Sequence, residues 1–193
     1  MSLSRQQFTL IGIFALFFGP LIVVMLMRSS WWQYQPSGMK NLGLLVQPPQ
    51  QITLERTAET SDKWLILHVL GEPCEQACID NTAALRQVHR AAGRHAEHLE
   101  VVLLSQSPMA PELHAKLDAV YPAFNFVEGS ETLIATLLDI NASVSDTPAG
   151  LNDIHTYLLD PMSNGVLAYT ATANPGDLLK DLKRLLKWSD QQK

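Results

Sequence analysis

Gly71-Glu72-Pro73-Cys74-Glu75-Gln76-Ala77-Cys78-Ile79-Asp80 is the stretch whose reading decides the fold. It holds Cys74 and Cys78, the two cysteines of a 193-residue chain. The apolar run Trp64–Leu70 leads into it and stops at Gly71; a stretch with helical spacing, Asn81–Ala92, follows. The pair therefore stands where a strand turns into a helix. Positions i and i+4 share one helix face, so sulfurs at this spacing can reach one metal ion or each other. A helix N-terminus also offers unpaired N–H groups and the positive end of a dipole, and both favour thiolate over thiol.

Working outward, Trp64–Leu70 is short and almost continuously apolar, which suits a central strand buried on both faces. Val101–Leu104 reads as a second strand of that kind. Ala84, Leu85, Val88, Ala91 and Ala92 recur at helical spacing between them. Arg86, Arg90 and Arg94 form an i, i+4 stripe that reads as a solvated helix face. Further helices are expected at Pro111–Val120, Glu131–Ile140 and Asp177–Trp188. Strands are expected at Gln51–Arg56, Ile154–Leu159 and Val166–Thr170, the last two joined through Asn164-Gly165, a strong hairpin signal. Asn141–Asn152 reads as a loop, and Thr57–Lys63 as a polar turn. Strands alternating with helices predict a sheet covered on both faces, and the final hairpin makes it mixed.

Phe8–Met27 is a run of 20 residues with no charge. At about 1.5 Å per residue it spans roughly 30 Å, the thickness of a bilayer core. Trp31, Trp32 and Tyr34 follow, as in an interfacial aromatic belt. The run is too long for a signal peptide and ends without a small-residue cleavage site, so it reads as an uncleaved anchor. Gln35–Gln50, with Pro36, Gly38, Gly43, Pro48 and Pro49, reads as a tether. Setting aside Arg5 and Arg28 leaves 12 of the 14 basic residues against all 19 acidic ones, a net charge of −7 beyond the anchor. Such a balance argues against nucleic acid as a partner. No nucleophile–base–orienter set, P-loop or GxGxxG is present. Two cysteines are too few for a disulfide scaffold; they form one bridge, a dithiol, or part of a metal site.

This order of elements, with Cys-x-x-x-Cys after an apolar strand, resembles the thioredoxin superfamily. Within it, the layout is most similar to the Sco/SenC group of copper-binding cytochrome oxidase assembly proteins. Those proteins join one N-terminal anchor and a tether to a thioredoxin-like domain, and bind copper through both cysteines and a distant histidine. Here the stretch matching that histidine is Asp153-Ile154-His155-Thr156-Tyr157-Leu158-Leu159-Asp160-Pro161. The family usually has proline after the second cysteine and Asp directly before the histidine. This chain has Ile79 and Ile154 there.

The resemblance implies an α/β, thioredoxin-like mixed sheet with flanking helices, preceded by a single N-terminal transmembrane helix. Its divisions are a flank at 1–7, an anchor at 8–28, a tether at 29–50 and the domain at 51–193. It implies one copper ion, Cu(I) or Cu(II), on Cys74, Cys78 and His155. Two soft thiolates and an imidazole suit that ion. It implies a metallochaperone in a bacterial-type inner membrane, its domain facing the periplasm. The partners implied are the copper-bearing subunit of cytochrome c oxidase and a copper donor or thiol reductant. Two other roles remain open. One is a thiol–disulfide oxidoreductase in which Cys74 attacks and Cys78 resolves; the other is a tethered assembly factor with a structural disulfide. His68 reads as a satisfied core residue. His89, His95, His98 and His114 read as exposed, and Glu72 and Glu75 as flanking charges. Asp160 matches a family position and reads as the turn residue before Pro161.

Overall fold

The computed structural model describes residues 5–27, 41–54, 62–146 and 149–190. Trp31, Trp32, Tyr34 and most of the expected turn at 57–63 lie outside them. The chain divides into two compact units, Met1–Lys40 and Asn41–Lys193. In the first, α1 (Arg5–Met27) is a 23-residue helix containing Pro20. Its described apolar side chains, Leu16 and Met25 among them, are exposed. Among the described residues no helix is long and apolar enough to cross a membrane. The side chains of Phe8 to Ile11 are outside that description.

The second unit contains β1 (Leu44–Gln51), β2 (Trp64–Val69), α2 (Gln76–Ala91), β3 (Leu99–Ser105), α3 (Pro111–Val120), β4 (Phe124–Glu128), α4 (Glu131–Val144), β5 (Ile154–Leu159), β6 (Asn164–Thr170) and α5 (Pro175–Asp190). The strands form one sheet in the order β1-β6-β5-β2-β3-β4. β2, β3 and β4 run parallel; β5, β6 and β1 add antiparallel pairs. The mixed sheet expected from the sequence is therefore present.

Successive residues of a strand point to opposite faces, and β2 shows why its whole run is apolar. Trp64 and Ile66 pack with Leu85, Val88, Leu117, Leu178 and Leu182 of α2, α3 and α5. Leu65, Leu67 and Val69 pack with Leu133, Leu137 and Ile140 of α4. Both faces are buried, so apolar alternation gives way to a continuous run.

Several elements differ from expectation. β1 begins at Leu44, inside the stretch read as tether, and ends at Gln51, where the expected strand Gln51–Arg56 was to begin; the last two residues of that expectation lie outside the described residues. Asp181, 2% exposed, holds this entry: its Oδ2 accepts from Leu42 N at 2.7 Å, Gly43 N at 2.9 Å and the Tyr169 hydroxyl at 3.1 Å. Tertiary hydrogen bonds thus overrule the proline-rich composition. β4 was not anticipated; its short Phe-Asn-Phe-Val-Glu run is fixed by pairing with β3. α4 continues through Asn141 to Val144, shortening the expected loop. α2 starts at Gln76, placing Cys78 inside the helix and Cys74 just before it. At the β5–β6 turn the positive φ, 65°, falls on Ser163 and not on Asn164-Gly165. Asp160 closes that turn by accepting from Asn164 N and Nδ2, both at 2.8 Å, so it serves as the turn residue expected.

Candidate functional site

Cys74 and Cys78 are joined in a disulfide, with their Cα atoms 5.2 Å apart. Both are half-buried, and the residues between them are exposed. Glu75 occupies the N-cap of α2 without a side-chain cap bond, and the first turn carries no acidic residue. The bridge thus meets the positive end of α2, where a thiolate released by reduction is stabilised. The loop ahead of it is tied down by Glu72, whose Oε1 accepts from Ser107 N at 2.8 Å and Ser107 Oγ at 2.9 Å. Cys74 also lines a cavity with Leu70, Ser105, Met109 and Leu113.

His155 lies at the start of β5. The pairing of β5 with β6 slips in register between Ile154 and Thr156. A bulge re-aims the side chain it displaces. Here it lets His155 and its neighbour Thr156 line one cavity together with His68 of β2. Asn81, Ala84 and Leu85 of α2 and Asn174 and Leu178 at the head of α5 close that cavity. The two imidazoles meet edge to face, with ring centroids 4.7 Å apart. Thr156, opposite His68 across the strand pair, holds both rings: its Oγ1 is 2.8 Å from His68 Nδ1 and 2.9 Å from His155 Nδ1. Burial, and then repulsion from His155, push the His68 pKa down to about 3. Burial also lowers His155 below its ordinary value. Both rings are neutral at pH 7.

The approach to β5 is equally fixed. Asn141, fully buried, donates from Nδ2 to the Gly150 carbonyl at 3.1 Å and the Ile154 carbonyl at 3.2 Å. The Tyr157 hydroxyl donates to Asn141 Oδ1 at 2.7 Å. Burial raises the Tyr157 pKa, so the hydroxyl stays protonated for that bond.

The structure therefore brings Cys74 and Cys78 together and places His155 in a separate cavity with His68. Among the described residues, no three His, Cys, Asp or Glu side chains are grouped to hold a metal ion. A copper ion would need both sulfurs as thiolates, and here each is bonded to the other. The other histidines serve local contacts: His89 meets the Tyr121 hydroxyl at 3.0 Å, His95 meets Arg94, His98 meets Glu97, and His114 stacks on Phe126. Arg86 departs from the solvated stripe and donates to the Val120 carbonyl at 3.0 Å, joining α2 to the end of α3.

Sequence reasoning placed His68 in the core, where it is, but missed its contact with His155 and the role of Thr156. A polar ring within the run Trp-Leu-Ile-Leu-His-Val was the available signal. A buried imidazole needs a partner, and a paired strand supplies one.

A family model described as a transmembrane-like, thioredoxin-like C-terminal domain matches residues 64–189. Among solved structures, the apo Sco1 protein of Thermus thermophilus superposes with a TM-score of 0.51 at 17% identity, over 78% of this chain and 98% of that one. BsSco, a member of the Sco family of cytochrome c oxidase assembly proteins in which a disulfide switch was identified, gives 0.50 at 18% identity, over 79% and 99%. The thioredoxin domain of a thiol-disulfide oxidoreductase from Bacteroides vulgatus gives 0.46 at 14% identity, over 66% and 81%. No curated protein sequence matches the chain. At these identities the structural likeness is one of fold.

Proposed function

Because the chain belongs to the family of transmembrane-like, thioredoxin-like C-terminal domains, we propose that it is a membrane-anchored thiol–disulfide exchange protein whose working group is Cys74–Cys78. The observation that carries this reading is the disulfide itself, half-buried at the N-terminus of α2. In the reducing direction the Cys74 thiolate attacks a partner disulfide and forms a mixed disulfide, releasing one partner thiolate. Cys78 then displaces the second partner sulfur, and the chain leaves with the bridge seen here. Two electrons pass to the partner, and a dithiol reductant restores the pair.

The anchor is α1. The uncharged run Phe8–Met27 is long enough for a bilayer, and the exposed apolar side chains of α1 need a non-aqueous surround. A domain facing the periplasm from a bacterial-type inner membrane fits a bridge of this kind, because disulfides persist outside the cytoplasm.

A second reading is favoured by His155, a neutral imidazole whose Nδ1 is engaged and whose Nε2 has no hydrogen-bond partner among the described residues. Once the bridge is reduced, Cys74, Cys78 and His155 supply a donor set suited to Cu(I). The chain would then deliver copper to, or keep reduced, the copper-bearing subunit of a cytochrome c oxidase.

One experiment on the full-length chain in detergent tests both. The reduced Cys78→Ser chain is mixed with a disulfide-bonded peptide and analysed by mass. The exchange reading predicts an accumulated mixed disulfide on Cys74, absent from Cys74→Ser. No adduct in either variant would sink it. Anaerobic Cu(I) titration of the reduced chain against a chelator, beside His155→Ala, decides the second reading. It requires one equivalent bound tightly and loosened by the variant.

A further inference from the structure

The contact of two histidines with one hydroxyl has a consequence in proton counting. A threonine hydroxyl has one proton to donate, and a neutral imidazole has one donor and one acceptor nitrogen. His68 Nδ1 and His155 Nδ1 both lie within hydrogen-bond distance of Thr156 Oγ1, at 2.8 and 2.9 Å. Thr156 is 5% exposed, and its hydroxyl has no other acceptor among the described residues. Its proton therefore goes to one ring. The contact with the other ring is a hydrogen bond only if that ring carries its proton on Nδ1.

We propose that His68 and Thr156 are positioning residues for His155, the three forming one shared-proton unit in which the two rings are opposite tautomers. Two forms satisfy the count. In one, His155 donates from Nδ1 to Thr156, Thr156 donates to His68 Nδ1, and His68 carries its proton on Nε2. His155 then offers a bare Nε2 to the cavity. In the other, every donor is reversed and His155 offers Nε2–H. Passing between them moves a proton on both rings at once. Any group that needs the lone pair of His155 Nε2, a proton donor or a metal ion, therefore also fixes the tautomer of His68. The bulge at Ile154–Thr156 supports this unit, since it brings His155 and Thr156 to the same cavity as His68. The inference deepens the reading of His155 as an imidazole serving the cysteine pair and rests on that reading for its purpose. The tautomers themselves stand or fall without it.

The test is nitrogen NMR of the full-length chain in detergent micelles, with its six histidines 15N-labelled. His68→Gln and His155→Gln assign the two rings. The wild type is expected to show one ring protonated at Nδ1 and the other at Nε2. Thr156→Val, close in shape, is expected to abolish the opposition, and Thr156→Ser to restore it. The same tautomer in both wild-type rings, or a pattern unmoved by Thr156→Val, overturns the proposal. A second arm adds Cu(I) to the reduced chain. Loss of the oriented Thr156 is expected to weaken Cu(I) binding by roughly 10- to 100-fold, the usual effect of removing a hydrogen-bond partner behind a ligand. Undiminished binding by Thr156→Val overturns the positioning role. If the wild type binds no Cu(I), the copper reading falls, and the tautomer pattern alone decides this proposal.

Discussion

The cysteine end and the histidine end of this molecule are built in opposite ways. Cys74 and Cys78 sit on a loop and a first helical turn whose intervening residues are exposed, and Glu72 ties the preceding loop to Ser107. His68, Thr156 and His155 stand on paired strands, and Asn141 and Tyr157 clamp the approach to β5. Exchange chemistry needs sulfurs that a partner can reach. An imidazole that must present one nitrogen in one direction needs a rigid support. The sheet supplies rigidity at one end and leaves the other accessible.

The largest break in this contrast is expected from Asn141→Ala. It leaves the Gly150 and Ile154 carbonyls without their Asn141 donor and the Tyr157 hydroxyl without its amide acceptor, all at a buried position. The Gly150 carbonyl keeps the Asp153 and Ile154 N–H groups, and the Tyr157 hydroxyl keeps the Ile154 carbonyl, so the loss is that of three hydrogen bonds at about 1 kcal/mol each, about 3 kcal/mol. Urea unfolding measures it, and the thiol exchange rate of Cys74 should change far less. A variant of wild-type stability would show that β5 holds His155 without the clamp.

A smaller effect is expected from acid. The folded-state pKa of His68, about 3, lies below the unfolded value of about 6.5. Above pH 6.5 the ring is neutral in both states and no stability is lost. Below it the unfolded chain takes up a proton that the folded chain refuses, so stability falls as pH drops toward 3. Each pH unit costs up to about 1.4 kcal/mol, or about 2 kcal/mol between pH 6.5 and 5, where carboxylates are still mostly ionised. His155 is lowered in the same direction and adds to the slope, while Tyr169 on β6 stays neutral throughout. His68→Gln should flatten the dependence of the urea midpoint on pH. An unchanged slope would mean that the ring is not the buried neutral group described.

Residues whose role is local were legible from the sequence. Trp64–Leu70 announced a strand buried on both faces, Pro111–Val120 a helix, and Asp160 a turn, because hydrophobic period and turn chemistry act over a few neighbours. The cysteine pair and its place at a strand-to-helix junction were legible for the same reason. β1 was hidden, since Pro48 and Pro49 argue against a strand until Asp181 and β6 are in place to hold it. The unit of His68, Thr156 and His155 was hidden as well. It joins residues 88 positions apart through a strand pairing and a bulge, and neither leaves a periodic mark.

The smallest effect sharpens the contrast further. Reducing the bridge opens a loop closed by residues only four apart in sequence. Constraint of the unfolded chain grows with the length of the closed loop, so this bridge contributes at the low end, no more than about 2 kcal/mol. The buried residues that pack around the sheet belong to β2, β3, α2, α3, α4 and α5, with both sulfurs at their margin. Reduction should therefore leave the urea midpoint nearly in place and the His68 and His155 resonances unshifted. A drop of several kcal/mol would favour the third role, a bridge kept for the fold alone. Thiols that leave the fold intact are free to cycle, which is what an exchange protein, or one that takes up copper after reduction, requires.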